Sequence, residues 1–142
     1  MFFLQNNEIN NYNSFTQKYS LDARKNEIER VRRKYPDKIP VYVNKSNKSD
    51  INDIKKHKFL VPDTLTMGEF MIVIRQNIQL KPEQAITLFI QTIDNNIIMS
   101  PTSETIGSVY YKNVLSFQND PKYKNNIDGY LYLIYSGENT FG

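Results

Sequence analysis

Few residues in this chain could make or break a covalent bond unaided. There is no cysteine and a single histidine, His57, which excludes disulfides, thiolate zinc sites, a cysteine nucleophile and any relay of imidazoles. No Ser-His-Asp arrangement, Gly-rich phosphate loop or pair of carboxylates in a shared apolar setting can be argued. Asp50 and Asp53 border a polar turn without a third acid or histidine at ligand spacing, so they read as turn solubility and not as a metal site. His57 lies between Lys56 and Lys58, which predicts a solvated surface imidazole. Met67 and Met71 stand at the spacing of a helix core and call for no cofactor. The expectation is a protein that is not an enzyme, with no catalytic residue, no metal and no cofactor.

Charge offers a second kind of chemistry. The net of +3 divides unevenly: residues 1–60 carry thirteen Lys/Arg against seven Asp/Glu, and residues 61–142 carry five against eight. A basic N-terminal half suits an acidic partner, an anionic lipid surface or nucleic acid; a solvated helix face is the plainer reading. The run Arg30–Lys34 and the cluster Lys55-Lys56-His57-Lys58 have tyrosines nearby but no groove-reading or single-strand motif, and nucleic acid is not expected. No apolar run approaches the ~20 residues that span a bilayer, and Met1-Phe2-Phe3-Leu4 is too short for a signal-peptide core. A soluble, intracellular protein is expected. At 142 residues the chain suffices for one domain with one core.

The elements that would position any site follow from periodicity. Residues 1–13 are Asn-rich and aperiodic, and read as a mobile extension. Ser20 caps a helix to about Lys34, with Asp22 in its first turn and Arg32, Arg33 and Lys34 in its last. Leu21, Ile28 and Val31 give it a narrow apolar stripe, and Tyr35-Pro36 ends it. Ile39–Val43 and Lys58–Pro62 read as a strand pair joined by a polar connection; Pro40 and Pro62 place one margin at a sheet edge or strand end. Thr66-x-x-Glu69 matches a capping box that opens a core-facing helix carrying Met67, Phe70, Met71, Ile74 and Ile78. Ile86–Ile90 is a strand, Asn95-Asn96 a turn and Ile97–Met99 a short strand. Pro101-Thr102-Ser103 marks another helix start, and Ser116–Asp128 is a polar loop.

Tyr130–Tyr135 is apolar on both alternating faces, so it belongs mid-sheet with a cover on each side. The composition then turns polar at Ser136 and runs out to Gly142. Helix, strand pair, crossing helix, a second strand pair, helix and final strand describe an α+β β-grasp. One helix covers one face of its four-stranded mixed sheet, and the N-terminal helix is available for the other. The expected divisions are the 1–13 extension, a 14–142 domain with an N-terminal helical part at 14–35, and a flexible tail at 136–142.

Four blocks carry a resemblance: Arg33-Lys34-Tyr35-Pro36-Asp37-Lys38-Ile39-Pro40-Val41, Lys58-Phe59-Leu60-Val61-Pro62, Pro101-Thr102-Ser103-Glu104-Thr105-Ile106-Gly107, and Gly129-Tyr130-Leu131-Tyr132 through Phe141-Gly142. Collinear from about Phe15 to Gly142, the chain resembles the autophagy-related ubiquitin-like modifiers, relatives of the microtubule-associated protein light chains and the GABA-receptor-associated protein. The resemblance implies a ubiquitin-like β-grasp with a central helix and additional N-terminal helices on the opposite face, and it implies a modifier. Its terminal glycine, matched by Gly142, passes along the cysteines of activating and conjugating enzymes as a thioester and is then joined to the amine of phosphatidylethanolamine. A cysteine protease for processing and deconjugation is implied as a further partner, and a cytoplasmic protein that becomes associated with autophagosomal or related membranes. Glycine has no Cβ and permits close backbone approach, which suits a tail that enters narrow enzyme clefts.

The resemblance also implies capture of W-x-x-L receptor peptides, added as a strand to an exposed edge of the Lys58–Val61 strand. By matching positions an aromatic pocket falls to Glu27, Val31, Pro40, Lys58, Leu60 and Tyr130, and an aliphatic pocket to Phe59, Val61, Pro62, Leu65, Phe70 and Val73. Lys38, Lys56 and Lys58 would attract acidic residues that flank such peptides. Core packing is the plain alternative for each apolar member. Asn77 stands where the family usually has a basic residue, and Asp94–Ser100 and Tyr111–Asp128 are longer than usual. A non-conjugated peptide-binding scaffold, a basic tubulin- or RNA-associated protein, and a conjugated modifier used for organelle maintenance remain as alternatives.

Overall fold

The computed structural model describes the backbone of residues 2–3 and 12–137, and side chains from Phe15 to Gly137. Its elements in order are β1 (Phe2–Phe3), α1 (Tyr12–Lys18), α2 (Leu21–Lys34), β2 (Lys38–Lys45), β3 (Lys58–Pro62), α3 (Met67–Asn77), β4 (Ile86–Gln91), β5 (Ile97–Ile98), α4 (Ile106–Asn113), a 3-10 turn at Leu115–Phe117 and β6 (Leu131–Gly137). The sheet order is β1-β3-β2-β6-β4-β5. The four long strands form the expected mixed sheet, with β2 and β6 parallel and the remaining pairs antiparallel. Two strands of two residues each, β1 and β5, extend it at its margins.

The last strand occupies the interior of the sheet, between β2 and β4, as its two apolar faces require. Leu131, Leu133 and Tyr135 enter the main core with Val41, Val43, Phe59 and Val61, beneath Phe70 and Ile74 of α3 and Ile106 and Val109 of α4. On the opposite face Tyr130 joins Phe15 of α1, Ile28 of α2 and Tyr42 of β2 in a second, aromatic cluster. Pro40 is tolerated within β2 for a geometric reason. The Val43 N–H donates across to the His57 carbonyl at 2.8 Å, so alternation turns the Pro40 nitrogen toward the β6 side. Pairing with β6 begins only at Val41, one residue later.

Local signals set most helix starts. The Ser20 hydroxyl accepts from the Ala23 N–H at 3.1 Å. The capping box at α3 is complete, with the Glu69 N–H donating to Thr66 Oγ1 and the Thr66 N–H to Glu69 Oε1. α4 departs from expectation. The segment after Pro101 runs beside the start of α3, where the Thr102 and Glu104 carbonyls accept from the Gly68 and Met67 N–H groups at 2.9 and 2.8 Å. Those are first-turn donors that a helix leaves unpaired. Thr105 then caps α4, its hydroxyl accepting from the Ser108 N–H.

Other expectations are revised at the ends. Phe2–Phe3 and Tyr12, placed in the 1–13 extension from sequence, lie in β1 and α1. Ser136 and Gly137, assigned to the 136–142 tail, pair with Thr87 and Ile86 inside the sheet. Met1, residues 4–11 and residues 138–142, including Phe141 and Gly142, lie outside the described residues. His57 is not a solvated surface group. It is 3% exposed, stacks on Tyr42 with centroids 5.5 Å apart, and lies with Nδ1 2.8 Å from the Val43 carbonyl.

Candidate peptide-docking surface and conjugation terminus

The hairpin of β2 and β3 organises the site. The register sets Ile39, Val41 and Tyr42 opposite Val61, Phe59 and Lys58, and Pro40 opposite Leu60. Because the Val43 N–H points to β3, the backbone groups of Phe59 and Val61 face β2, whereas those of Lys58 and Leu60 face away from it. Side chains alternate the other way. Phe59 and Val61 enter the main core, and Lys58 and Leu60 go to the face that bears α1 and α2. One short strand thus addresses two separate environments.

On the α1/α2 side the structure brings together Glu27, Lys58 and Tyr130. Lys58 Nζ lies 3.2 Å from Glu27 Oε2 and 3.3 Å from Oε1, and the Tyr130 hydroxyl donates to the same carboxylate. The Lys58 ammonium also sits over the Phe15 ring at 4.9 Å. Burial, with the Glu27 charge beside it, holds the Tyr130 phenol far above its usual range, so it acts as a neutral donor. Lys58 is 4% exposed, so its charge is turned inward and is not presented as a surface lure for acidic peptides. Val31 and Pro40 are buried nearby on α2 and β2, and Leu60 is fully buried.

The aliphatic set divides. Phe59, Val61 and Phe70 have no exposed surface, and Phe59 meets Phe70 edge-on at 5.4 Å. They are core residues in this conformation. Pro62, Leu65 and Val73 remain half-buried, with Leu65 and Val73 packed on that core. Lys38 is half-buried, and its carbonyl accepts from Arg32 at 2.8 Å; Lys56 is exposed. Asn77 ends α3, with its amide donating to the Val73 carbonyl at 2.8 Å. The edge expected to be open is not: β1 pairs antiparallel with β3, Phe2 opposite Leu60 and Phe3 opposite Phe59.

Sequence reasoning missed the residues that lock α2 to β6. Arg24 Nη1 lies 2.6 Å from Asp128 Oδ2, the Tyr132 hydroxyl donates to the same oxygen, and the Tyr130 N–H donates to Oδ1 at 2.8 Å. Gly129 follows at φ 99°, where an added Cβ would come within 2.5 Å of Ile28 Cγ2. Tyr110 donates to the Gly129 carbonyl at 2.7 Å. Asp128-Gly129 ahead of a tyrosine-rich strand was a visible turn signal, but its partner Arg24 is distant in sequence.

Among the described residues no helix is long and apolar enough to cross a membrane. The family profile "Autophagy protein Atg8 ubiquitin like" matches residues 23–142. Autophagy-related protein 8 of Schizosaccharomyces pombe is 44% identical over 128 residues, covering 90% of this chain and 93% of the relative. Autophagy-related protein 8d of Arabidopsis thaliana is 41% identical over 129 residues, covering 91% and 94%. A crystal structure of Trypanosoma brucei ATG8 superposes with a TM-score of 0.68 at 34% identity, covering 90% of this chain and 97% of that one. The chain belongs to the Atg8 family of autophagy-related ubiquitin-like modifiers.

Proposed function

We propose that this modifier is conjugated through Gly142 to the amine of phosphatidylethanolamine, and that its β3 margin receives W-x-x-L receptor peptides. The family match that runs as far as residue 142 carries the reading. In the transfer step the lipid amine attacks the Gly142 thioester carbonyl; the C–N bond forms, the C–S bond breaks, and the enzyme thiolate leaves while the amine loses its proton. The grasp-fold body contributes no reacting group. Activating and conjugating enzymes and a deconjugating cysteine protease are the corresponding partners, and autophagosomal membrane the destination.

For docking, the outward backbone groups of Lys58 and Leu60 supply main-chain hydrogen bonding. The Glu27–Lys58–Tyr130 side supports an aromatic anchor, and Pro62, Leu65 and Val73 an aliphatic one. Two assays test the reading separately. With cognate enzymes and phosphatidylethanolamine liposomes, the wild type should shift to a lipidated band and Gly142→Ala should not; an equal shift in both removes the conjugation claim. A labelled W-x-x-L peptide should lose affinity for Leu60→Asp, provided that thermal unfolding shows the variant folded. Unchanged affinity removes the docking claim.

A further inference from the structure

The geometry points to an internal gate on the docking margin: β1 occupies the backbone positions of β3 that an incoming peptide strand needs, and it must leave before a receptor binds. We propose this as an autoinhibitory strand, resting on the docking reading above. Three observations carry it. The backbone groups of Phe59 and Val61 are committed to β2, which leaves those of Lys58 and Leu60 as the outward donors and acceptors of β3. β1 sits on that side with Phe2 directly opposite Leu60. An added strand therefore competes with Phe2 for the same Leu60 N–H and C=O; the two arrangements exclude each other.

The gate is short and tethered. Two residues make a weak strand on their own, since an isolated pairing of this length is marginal in water. Residues 4–11 join it to α1, and α1 is fastened beside β3 by Phe15, whose ring stacks on Tyr42 at 4.4 Å and lies under the Lys58 ammonium. A strand held on so short a link acts at an effective concentration on the order of millimolar. It can hold the margin against peptides present at much lower concentration and still yield to a tight one. The device would set a threshold for receptor affinity.

The test uses the full chain. The double substitution Phe2→Pro, Phe3→Pro removes both N–H donors of β1 and leaves every residue of β3 as it is. The affinity of a fluorescent W-x-x-L peptide is measured for wild type, the double variant, and a chain that begins at Tyr12. If β1 leaves only a minority of molecules open, both altered chains should bind roughly threefold to tenfold more tightly than wild type. The Leu60 amide should also exchange with solvent deuterium faster in both. Equal affinities in all three proteins overturn the gate and leave docking standing. No binding by any of them overturns docking and the gate with it. Faster Leu60 exchange without an affinity gain also overturns the gate, since the strand would then be paired but not in the way.

Discussion

Replacing Asp128 with alanine should be the most damaging single change to the α2/β6 junction, at roughly a third of the stability of a domain with 10 kcal/mol in hand. The carboxylate is 3% exposed and its partner Arg24 13%. Alanine strips the guanidinium of its counter-charge and leaves the Tyr130 N–H and Tyr132 hydroxyl without their acceptor. Removing one partner of a buried pair costs about 3–5 kcal/mol, and the residual exposure of Arg24 places this pair at the lower end. For a chain of this length each kcal/mol moves the unfolding midpoint by about 3–4 °C, so a fall of about 10 °C is expected by scanning calorimetry. Asp128→Asn, which keeps an oxygen acceptor, should lose about half as much. In an Arg24→Ala background the cost of Asp128→Ala should shrink by more than half, because the stranded charge is gone. A fall below about 2 °C, or the same fall in both backgrounds, refutes the clamp.

The Tyr42 hydroxyl is buried and has no hydrogen-bond partner among the described residues; a buried unmatched hydroxyl costs roughly 1–3 kcal/mol, so Tyr42→Phe should leave the denaturation midpoint unchanged or raise it, and a clear drop would reveal a missed partner. Burial lowers the pKa of His57, only partly opposed by its bond to the Val43 carbonyl and by the charge of Asp53. The unfolded chain therefore takes up a proton near pH 6.5 that the folded chain resists, so the stability is present above about pH 6.5 and declines as pH falls toward the folded value. Urea midpoints at pH 7.5 and 5.5 should separate more for wild type than for His57→Gln, and equal separations contradict the burial argument. Gly129→Ala meets both a φ of 99° and Ile28 and should destabilise by at least about 2 kcal/mol; a neutral result in the same urea assay would show that the turn can relax.

What was legible in the sequence was local or periodic. The double apolar face of Tyr130–Tyr135 placed the last strand mid-sheet, and Thr66-x-x-Glu69 marked the α3 start, because each signal is complete within a few residues. The start of α4 was misplaced because Thr102, Ser103 and Thr105 are equivalent as caps. The choice is made by unpaired donors at the start of α3, which no local pattern shows. His57 read as solvated because its neighbours are lysines, yet its burial comes from Val43 and Tyr42 on the other strand. The Arg24–Asp128 pair joins positions 104 apart in the chain, beyond any periodicity. Within the candidate site, the strand period that sends Phe59 and Val61 one way and Lys58 and Leu60 the other is complete within Lys58–Val61. It could not show that Phe2–Phe3 would lie on the margin, since two apolar residues followed by Asn-rich sequence specify no strand without a partner edge.

Tandem mass spectrometry of the product made with the cognate enzymes on phosphatidylethanolamine liposomes addresses conjugation most directly. The predicted result is a single amide-linked lipid on the peptide that ends in Thr140-Phe141-Gly142, absent from Gly142→Ala. A lipid located on any other residue, or an unmodified C-terminal peptide after complete reaction of a control modifier, would contradict it.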